Sequence, residues 1–357
     1  MTITEATNAR EWDAFLTGRA ASPFLQSWTM GEVYRALGQD PVRIEIRDGV
    51  NLLGICFGHI VSARRGRHLS IPYGPVFAGK PDAALLIPLL AALEERTRNT
   101  NCTFIRMSPF WLDSTENDAL LSTRGFKHSP LHLLAEHLWY VPLRTVDPWE
   151  QVGGDAPDVS TARPEEELLM ELRKTTRNLV RRAEREGVTV SASTDPVGDL
   201  PHFLALHDET RKRHGFTPYT DRFFREQVAH FSPESQCSLY LARYQGEVIA
   251  ASIHMHFGGE TSYHHGASTA KYAQVPASYL LQWTAICDAR RRGDRIYNFW
   301  GISPEGAKKH PFAGVRTFKT GFGGKSLSLQ PCVDLPLSPR YRATRLIEQW
   351  RKWRRGF

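Results

Sequence analysis

Gly66-Arg67-His68-Leu69-Ser70-Ile71-Pro72-Tyr73-Gly74 and, in the second half of the chain, Gly258-Gly259-Glu260-Thr261-Ser262-Tyr263-His264-His265-Gly266 are two stretches bounded by glycines at equal spacing. Each reads as the return strand of a hairpin. In the first copy a turn at Arg47-Asp48-Gly49 leads to an apolar run ending at Ile60 and Val61, then to a second turn at Arg64-Arg65-Gly66. In the second copy the turns are Tyr244-Gln245-Gly246 and Phe257-Gly258-Gly259, with Val248 to Ile253 between them. Both copies continue into a helical stretch, 83–96 and 277–292, with apolar residues at three- and four-residue steps. A strand follows each, Phe104-Ile105-Arg106 and Ile296-Tyr297-Asn298, and Ile105 and Tyr297 stand at the same distance from Gly74 and Gly266. Self-similarity on this scale indicates a duplicated α/β unit of hairpin, crossover helix and strand, and excludes a short-period solenoid.

The length of 357 residues agrees with two such units, since a single domain is typically ~100–200 residues. Apolar residues at 41% and charged residues at 23% are those of a globular protein. The first residues are polar and no long uninterrupted apolar run occurs, so neither export nor membrane spanning is expected. Cys56, Cys102, Cys237, Cys287 and Cys332 form no C-x-x-C pair. Reduced thiols in a cytoplasm are expected, with no disulfide framework, no metal and no cofactor.

The net charge of +7 is concentrated in two runs. One is Arg173, Lys174, Arg177, Arg181, Arg182 and Arg185; the other is Arg340, Arg342, Arg345, Arg351, Lys352, Arg354 and Arg355, interleaved with Trp350 and Trp353. Such runs are either solvated helix faces or surfaces for polyphosphate partners, nucleic acid or an anionic membrane. The tryptophans and Phe357 either pack back on the body of the protein, dock on membrane, or meet RNA. Between the repeats, 146–164 is a linker rich in Asp, Gly and Pro. It leads into a helix over 165–186 that ends at Gly187, and helices over 200–213 and 221–230 follow.

Several motifs occur in fixed order: Phe24-Leu25-Gln26-Ser27, Tyr73-Gly74-Pro75-Val76 and Phe104-Ile105-Arg106-Met107-Ser108-Pro109 in the first half. The second half has Arg213-His214-Gly215-Phe216, Tyr263-His264-His265-Gly266-Ala267-Ser268, Ala277-Ser278-Tyr279-Leu280-Leu281-Gln282-Trp283, Tyr297-Asn298-Phe299-Trp300-Gly301 and Phe318-Lys319-Thr320-Gly321-Phe322-Gly323-Gly324. Taken together this set resembles the Fem family of aminoacyl-tRNA-dependent peptidyltransferases. The resemblance implies an α/β (α+β) fold of two tandem GNAT-like acyltransferase domains, here without a coiled-coil insertion. The expected domains are 1–145 plus 325–357, completed by the C-terminal helix, and 146–324. It further implies aminoacyl-tRNA as donor and a muropeptide on UDP-MurNAc-pentapeptide or lipid II as acceptor; separately, a monomer is expected, and the basic, tryptophan-bearing C-terminal run suggests peripheral membrane contact. The chain departs from the family pattern at two positions. Tyr34, beside Arg35, stands where relatives often carry a phosphate-binding lysine, and Ser108 stands where relatives commonly carry Asp.

Transfer from an activated ester needs a positioned amine and a group that stabilises the oxyanion. Lys319, next to Phe318 and ahead of Gly321-Phe322-Gly323-Gly324, is the catalytic candidate, its glycines expected to let substrate approach the backbone. Arg213 offers a bidentate fork for acceptor phosphate. Tyr73 and Tyr263 end equivalent strands, either pointing hydroxyls into a cleft or lying half-buried with the OH in water. Tyr34, Arg35, Ser108 and Tyr279 complete the expected substrate contacts, and Arg173, Arg177, Arg181 and Arg182 the expected tRNA contacts. His254, His256, His264 and His265 raise the question of zinc, but no neighbouring Cys or Glu completes a ligand set. Ordinary acyl-CoA transfer is the rival reading. It calls for a glycine-rich pyrophosphate loop, and neither Lys271 to Ala277 nor Phe77 to Pro81 supplies the pattern. A non-catalytic RNA- or membrane-binding protein is the second rival, and an aminoacyl transfer to a small amine metabolite the third.

Overall fold

Alternation of branched apolar and polar residues, as in buried Val42, Ile44 and Ile46 interleaved with Arg43, Glu45 and Arg47 on the other face of the strand, builds the sheets of the computed structural model. It describes residues 1–63, 66–157, 160–214, 219–307 and 313–355. Arg64, Arg65, Gly215, Phe216 and Phe357, which figure in the sequence reading, lie outside the described residues.

The first unit comprises Met1–Leu138, Pro148–Pro157 and Leu327–Phe357. Its strands are β1 (Thr2–Glu5), β2 (Pro41–Asp48), β3 (Asn51–Ala63), β4 (Gly66–Pro72), β5 (Val76–Phe77), β6 (Phe104–Ser108) and β7 (Lys127–His128). They order as β1-β2-β3-β4-β6, then the late strand Val333–Pro336, then β7, with β5 on β3. Helices α1 (Ala9–Thr17), α2 (Trp28–Ala36), α3 (Ala83–Thr97) and α4 (Thr115–Ser122) accompany the sheet. Helix α3 starts where the Asp82 side chain accepts from the Ala84 amide, and it buries Leu86, Leu89, Leu90 and Leu93 against Ile44, Ile46, Leu69 and Ile105.

The second unit comprises Trp139–Asp147 and Asp158–Ser326. Its sheet adds β8 (His137–Pro142), β9 (Thr189–Ala192), β10 (Cys237–Tyr244), β11 (Glu247–Phe257), β12 (Glu260–Ser268), β13 (Ile296–Gly301) and β14 (Lys325–Ser328), in the order β14-β8-β13-β12-β11-β10-β9. Helices α5 (Glu165–Glu171), α6 (Lys174–Arg185), α7 (Pro196–His214), α8 (Asp221–Phe231), α9 (Ala277–Arg292) and α10 (Ala313–Thr320) belong to it, and α11 (Tyr341–Arg355) belongs to the first unit. Val180, Leu281, Ala285, Tyr297, Phe299 and Phe322 form its core.

The duplication is visible in the register. Strands β4 and β6 are parallel with His68 opposite Phe104, and β12 and β13 are parallel with Glu260 opposite Ile296, the same separation along the chain in both. Two sheets flanked by helices are the mixed α/β architecture of tandem GNAT-like domains.

Two features differ from the sequence reading. Helix 165–186 is broken at Leu172 and Arg173, whose ψ angles are 138° and 143°. Tertiary contacts override local propensity there: the Arg173 amide donates to Gly321 O at 2.9 Å, and Arg177 Nη1 takes up the freed Met170 carbonyl at 2.9 Å. The segment 139–147 groups with the second unit, because β8 pairs with β13, while 148–157 returns to the first.

Candidate functional site

Strands β12 and β13 pair only through Glu260↔Ile296, Thr261↔Tyr297 and Ser262↔Asn298, and then part. Strand β12 stays on β11 through a bulge, with Tyr263 opposite His254 and His265 opposite Ile253, so His264 is the extra residue. Strand β13 is bent away at Trp300, which has φ 65° and whose amide donates to Asn298 Oδ1 at 2.7 Å. Lys319, near the end of α10, belongs to this opening. Its Nζ donates to Gly301 O at 2.7 Å and lies 5.6 Å from the Tyr263 ring centroid. With only 8% of its surface exposed, burial pulls the ammonium down from its usual 10.5 to about 7. The same burial pushes the Tyr263 phenol up to about 12, so it keeps its proton. The result is a lysine that exchanges a proton near neutrality, aimed by a carbonyl and backed by an aromatic ring.

Local packing holds it there. Phe318 meets Tyr279 with centroids 4.9 Å apart and Phe322 at 5.4 Å, and Phe322 sits 5.1 Å from Phe299. The protein's own chain requires the glycines that follow. A Cβ on Gly321 would meet Thr176 Oγ1 at 2.4 Å, and one on Gly324, at φ 95°, would meet the Tyr140 carbonyl oxygen at 2.1 Å. Because that second contact is with backbone and the conformation is left-handed, Gly324→Ala is expected to destabilise the protein by at least about 2 kcal/mol. An unchanged urea midpoint for that variant would contradict this packing.

A buried polar layer runs through β11, β12 and β13; the sequence singles out its histidines only as a question of zinc, and Glu260 not at all. Glu260 accepts from Ser262 Oγ at 2.5 Å and Asn298 Nδ2 at 2.8 Å, and burial raises its carboxyl to about 7 against those two hydrogen bonds. His254 bonds Tyr297 Oη at 2.8 Å, and that hydroxyl donates to Gln282 at 2.7 Å; His256 bonds Thr261 and Ser238 at 2.9 and 2.8 Å. Burial holds all four histidines of β11 and β12 well below their ordinary range, His254 and His264 at about 3, so they are neutral at pH 7. No group of His, Cys, Asp or Glu among the described residues is arranged to hold a metal ion. For Glu260 and Thr261 the signal in the sequence is indirect: polar residues in strands otherwise built for a core.

The remaining candidates separate. Tyr279 is half-buried in the first turn of α9 beside Phe318. Nearby, residues including Ser268, Thr269, Tyr272, Val275 and Ser278 line a cavity of about 130 Å³. Arg213, on the last turn of α7, is exposed with Nη2 3.3 Å from Ser268 O. In the arginine helix, Arg177 caps α5, Arg182 bonds Glu186 and Gln274 O at 2.6 and 3.2 Å, Arg173 Nη2 donates to Thr320 Oγ1 at 2.6 Å, and Arg181 is exposed. In the first unit Tyr73 is buried with φ 54°, and its hydroxyl donates to Ala135 O at 2.8 Å, so it neither opens to a cleft nor meets water. Tyr34 stacks on His59 with centroids 3.7 Å apart, Arg35 pairs with Glu32, and Ser108 is buried at the end of β6. Gln26 of the first motif is structural: its side chain bonds Phe57 N, Phe57 O and Pro72 O at 2.9, 3.0 and 2.6 Å, and a Cβ on Gly74 would strike it at 2.5 Å.

Residues 170–310 match the family described as Acetyltransferase (GNAT) domain. Among curated proteins, Aminoacyltransferase FemA of Staphylococcus epidermidis is 30% identical over 94 residues, which is 26% of this chain and 22% of that protein. The chain thus spans about a fifth of the length of the curated relative it matches. The crystal structure of FemX superposes with a TM-score of 0.79 at 18% identity, covering 98% of this chain and 100% of the other. A tandem GNAT protein from the clavulanic acid biosynthesis pathway gives 0.56 at 12% identity over 95% and 99%. The chain thus carries an acetyltransferase (GNAT) domain, is locally similar to FemA, and has a fold shared end to end with FemX.

Proposed function

We propose that this protein is an aminoacyltransferase that moves an amino acid from the ester of aminoacyl-tRNA to a side-chain amine of a peptidoglycan precursor, building an interpeptide bridge. The observation that carries this reading is Lys319: buried, held by Gly301 O beside Tyr263, and brought to about 7, it is a cation poised to lose its proton in a water-poor site. The acceptor nitrogen attacks the ester carbonyl, the C–N bond forms, and negative charge grows on the carbonyl oxygen. The bond between the acyl carbon and the ribose oxygen then breaks, and the ribose oxygen leaves with the proton that the attacking nitrogen gives up. Protonated Lys319 stabilises the oxyanion, and in a dry site that interaction is worth far more than in water. Phe318 positions α10 behind it, packing between Tyr279 and Phe322.

Exposed Arg173 and Arg181 on the arginine helix support a tRNA contact, with Arg177 and Arg182 already engaged by the protein's own backbone. Arg213 and Tyr279 are the acceptor contacts retained in this reading. Tyr73, Tyr34 and Ser108 support the first unit's own structure, and Arg35 would have to exchange Glu32 for a phosphate. The test is transfer of radiolabelled amino acids from a charged total tRNA pool to UDP-MurNAc-pentapeptide and to lipid II. Ribonuclease-sensitive incorporation is expected with one of the two; incorporation with neither overturns the reading.

A further inference from the structure

Helix α11 is inside out. Its inward positions are Tyr341, Thr344 and Glu348, all buried, each carrying a polar group, and spaced by three and four residues; the Tyr341 ring also packs on Phe104. Glu348 is anchored by Arg106 Nη2 at 2.7 Å, and Tyr341 Oη donates to Asp334 at 2.9 Å. At about 100° per residue, Leu346, Trp350 and Trp353 lie on the opposite side, and they are 66%, 54% and 80% exposed, with Ile347 beside them at 44%. A surface helix ordinarily turns its apolar stripe to the core. Here the face carrying Tyr341, Thr344 and Glu348 is clamped to the protein by hydrogen bonds and an ion pair, and the aliphatic and indole stripe is presented to the outside, so the tryptophans do not pack back.

The exposed charge that α11 itself carries has one sign. Arg342, Lys352 and Arg354 are exposed, Arg351 is half-exposed, and Arg354 leans 5.6 Å from the Trp350 ring centroid. The only acidic residue of α11, Glu348, is turned inward and paired. Arg345 also turns in, donating to His128 O at 2.7 Å. Aliphatic and indole side chains in the middle with arginine and lysine at the flanks match the interior boundary and the anionic headgroups of a bilayer surface. Leu346 and Ile347 have no base or phosphate to recognise, which disfavours RNA. No described helix is long and apolar enough to cross a membrane, so contact would be at the surface.

We propose that α11 is a membrane-docking element that lays Leu346, Trp350 and Trp353 into the headgroup boundary of an anionic bilayer. It rests on the function proposed above only for its purpose, which is to bring the enzyme to a lipid-linked acceptor. The full chain should co-sediment with phosphatidylcholine vesicles containing phosphatidylglycerol, weakly with phosphatidylcholine alone, and less as salt rises. Trp350→Ala with Trp353→Ala, both on the exposed face, should weaken partition about tenfold or more while leaving the unfolding midpoint in place. Binding is read without donor or acceptor, so its failure is separate from failure of the transfer reaction. Undiminished vesicle binding by the double variant, or no binding by the parent chain, overturns the proposal. Loss of self-association in the double variant without vesicle binding by the parent assigns the stripe to a second copy, and loss of tRNA affinity alone assigns it to RNA; either result overturns it as well.

Discussion

Lys319→Met is expected to slow transfer by about 10²- to 10³-fold, the scale of removing one preorganised donor from an oxyanion site, and at the same time to make the protein more stable. The two effects arise from one cause. In the unfolded chain Lys319 keeps its proton up to 10.5, whereas in the native protein it does so only to about 7. Unfolding therefore takes up a proton between those values, and native stability rises with pH across that window. The cost of the buried charge is present in full at and below pH 7. Methionine removes it, so the variant should gain roughly 2 to 3 kcal/mol there, with the advantage shrinking as pH climbs toward 10.5. Because the charged form stabilises the oxyanion, the lysine's share of the rate should fade as pH rises through about 7, and the methionine variant should lack that limb. Urea midpoints at several pH values and single-turnover transfer check both halves. A variant that transfers within about threefold of the parent would remove Lys319 from the chemistry.

The second large effect concerns the first unit. Arg106 is buried on β6, with Nε and Nη2 on Asp334 at 2.7 and 2.9 Å and Nη2 on Glu348 at 2.7 Å. Both carboxylates are buried, Asp334 entirely. Arg106→Met leaves two negative charges facing each other in a dry site, which is expected to cost about 3 to 5 kcal/mol and lower the melting temperature by roughly 10 °C. The companion variant Arg106→Met with Asp334→Leu and Glu348→Leu should recover most of that loss, since apolar groups of similar volume replace the whole ionic cluster. Calorimetry on both separates the charge effect from the packing effect. A single variant within about 1 kcal/mol of the parent would show that the cluster is dispensable.

The duplication and its hairpin, helix and strand order could be read directly, because periodicity and glycine spacing are local properties of a chain. The return strands bounded by Gly66, Gly74, Gly258 and Gly266 appear where that spacing puts them, and helix α9 keeps its predicted limits. The resemblance to the Fem family was legible for the same reason, since its motifs are short runs in order. Lys319 could be named as a candidate from its motif. That it is buried, aimed at Gly301 O and shifted toward neutrality depends on where β12 and β13 separate, and a strand's partner is a non-local fact. The same limit explains the break at Leu172 and Arg173, imposed by Gly321 far along the chain, and the use of Gly324 to admit the Tyr140 carbonyl. It also explains α11. Sequence composition shows tryptophans among arginines, but which side of a helix faces inward is decided by its anchor, and here the anchor is a buried ion cluster on β6 and the strand Val333–Pro336 that leaves the apolar stripe outside.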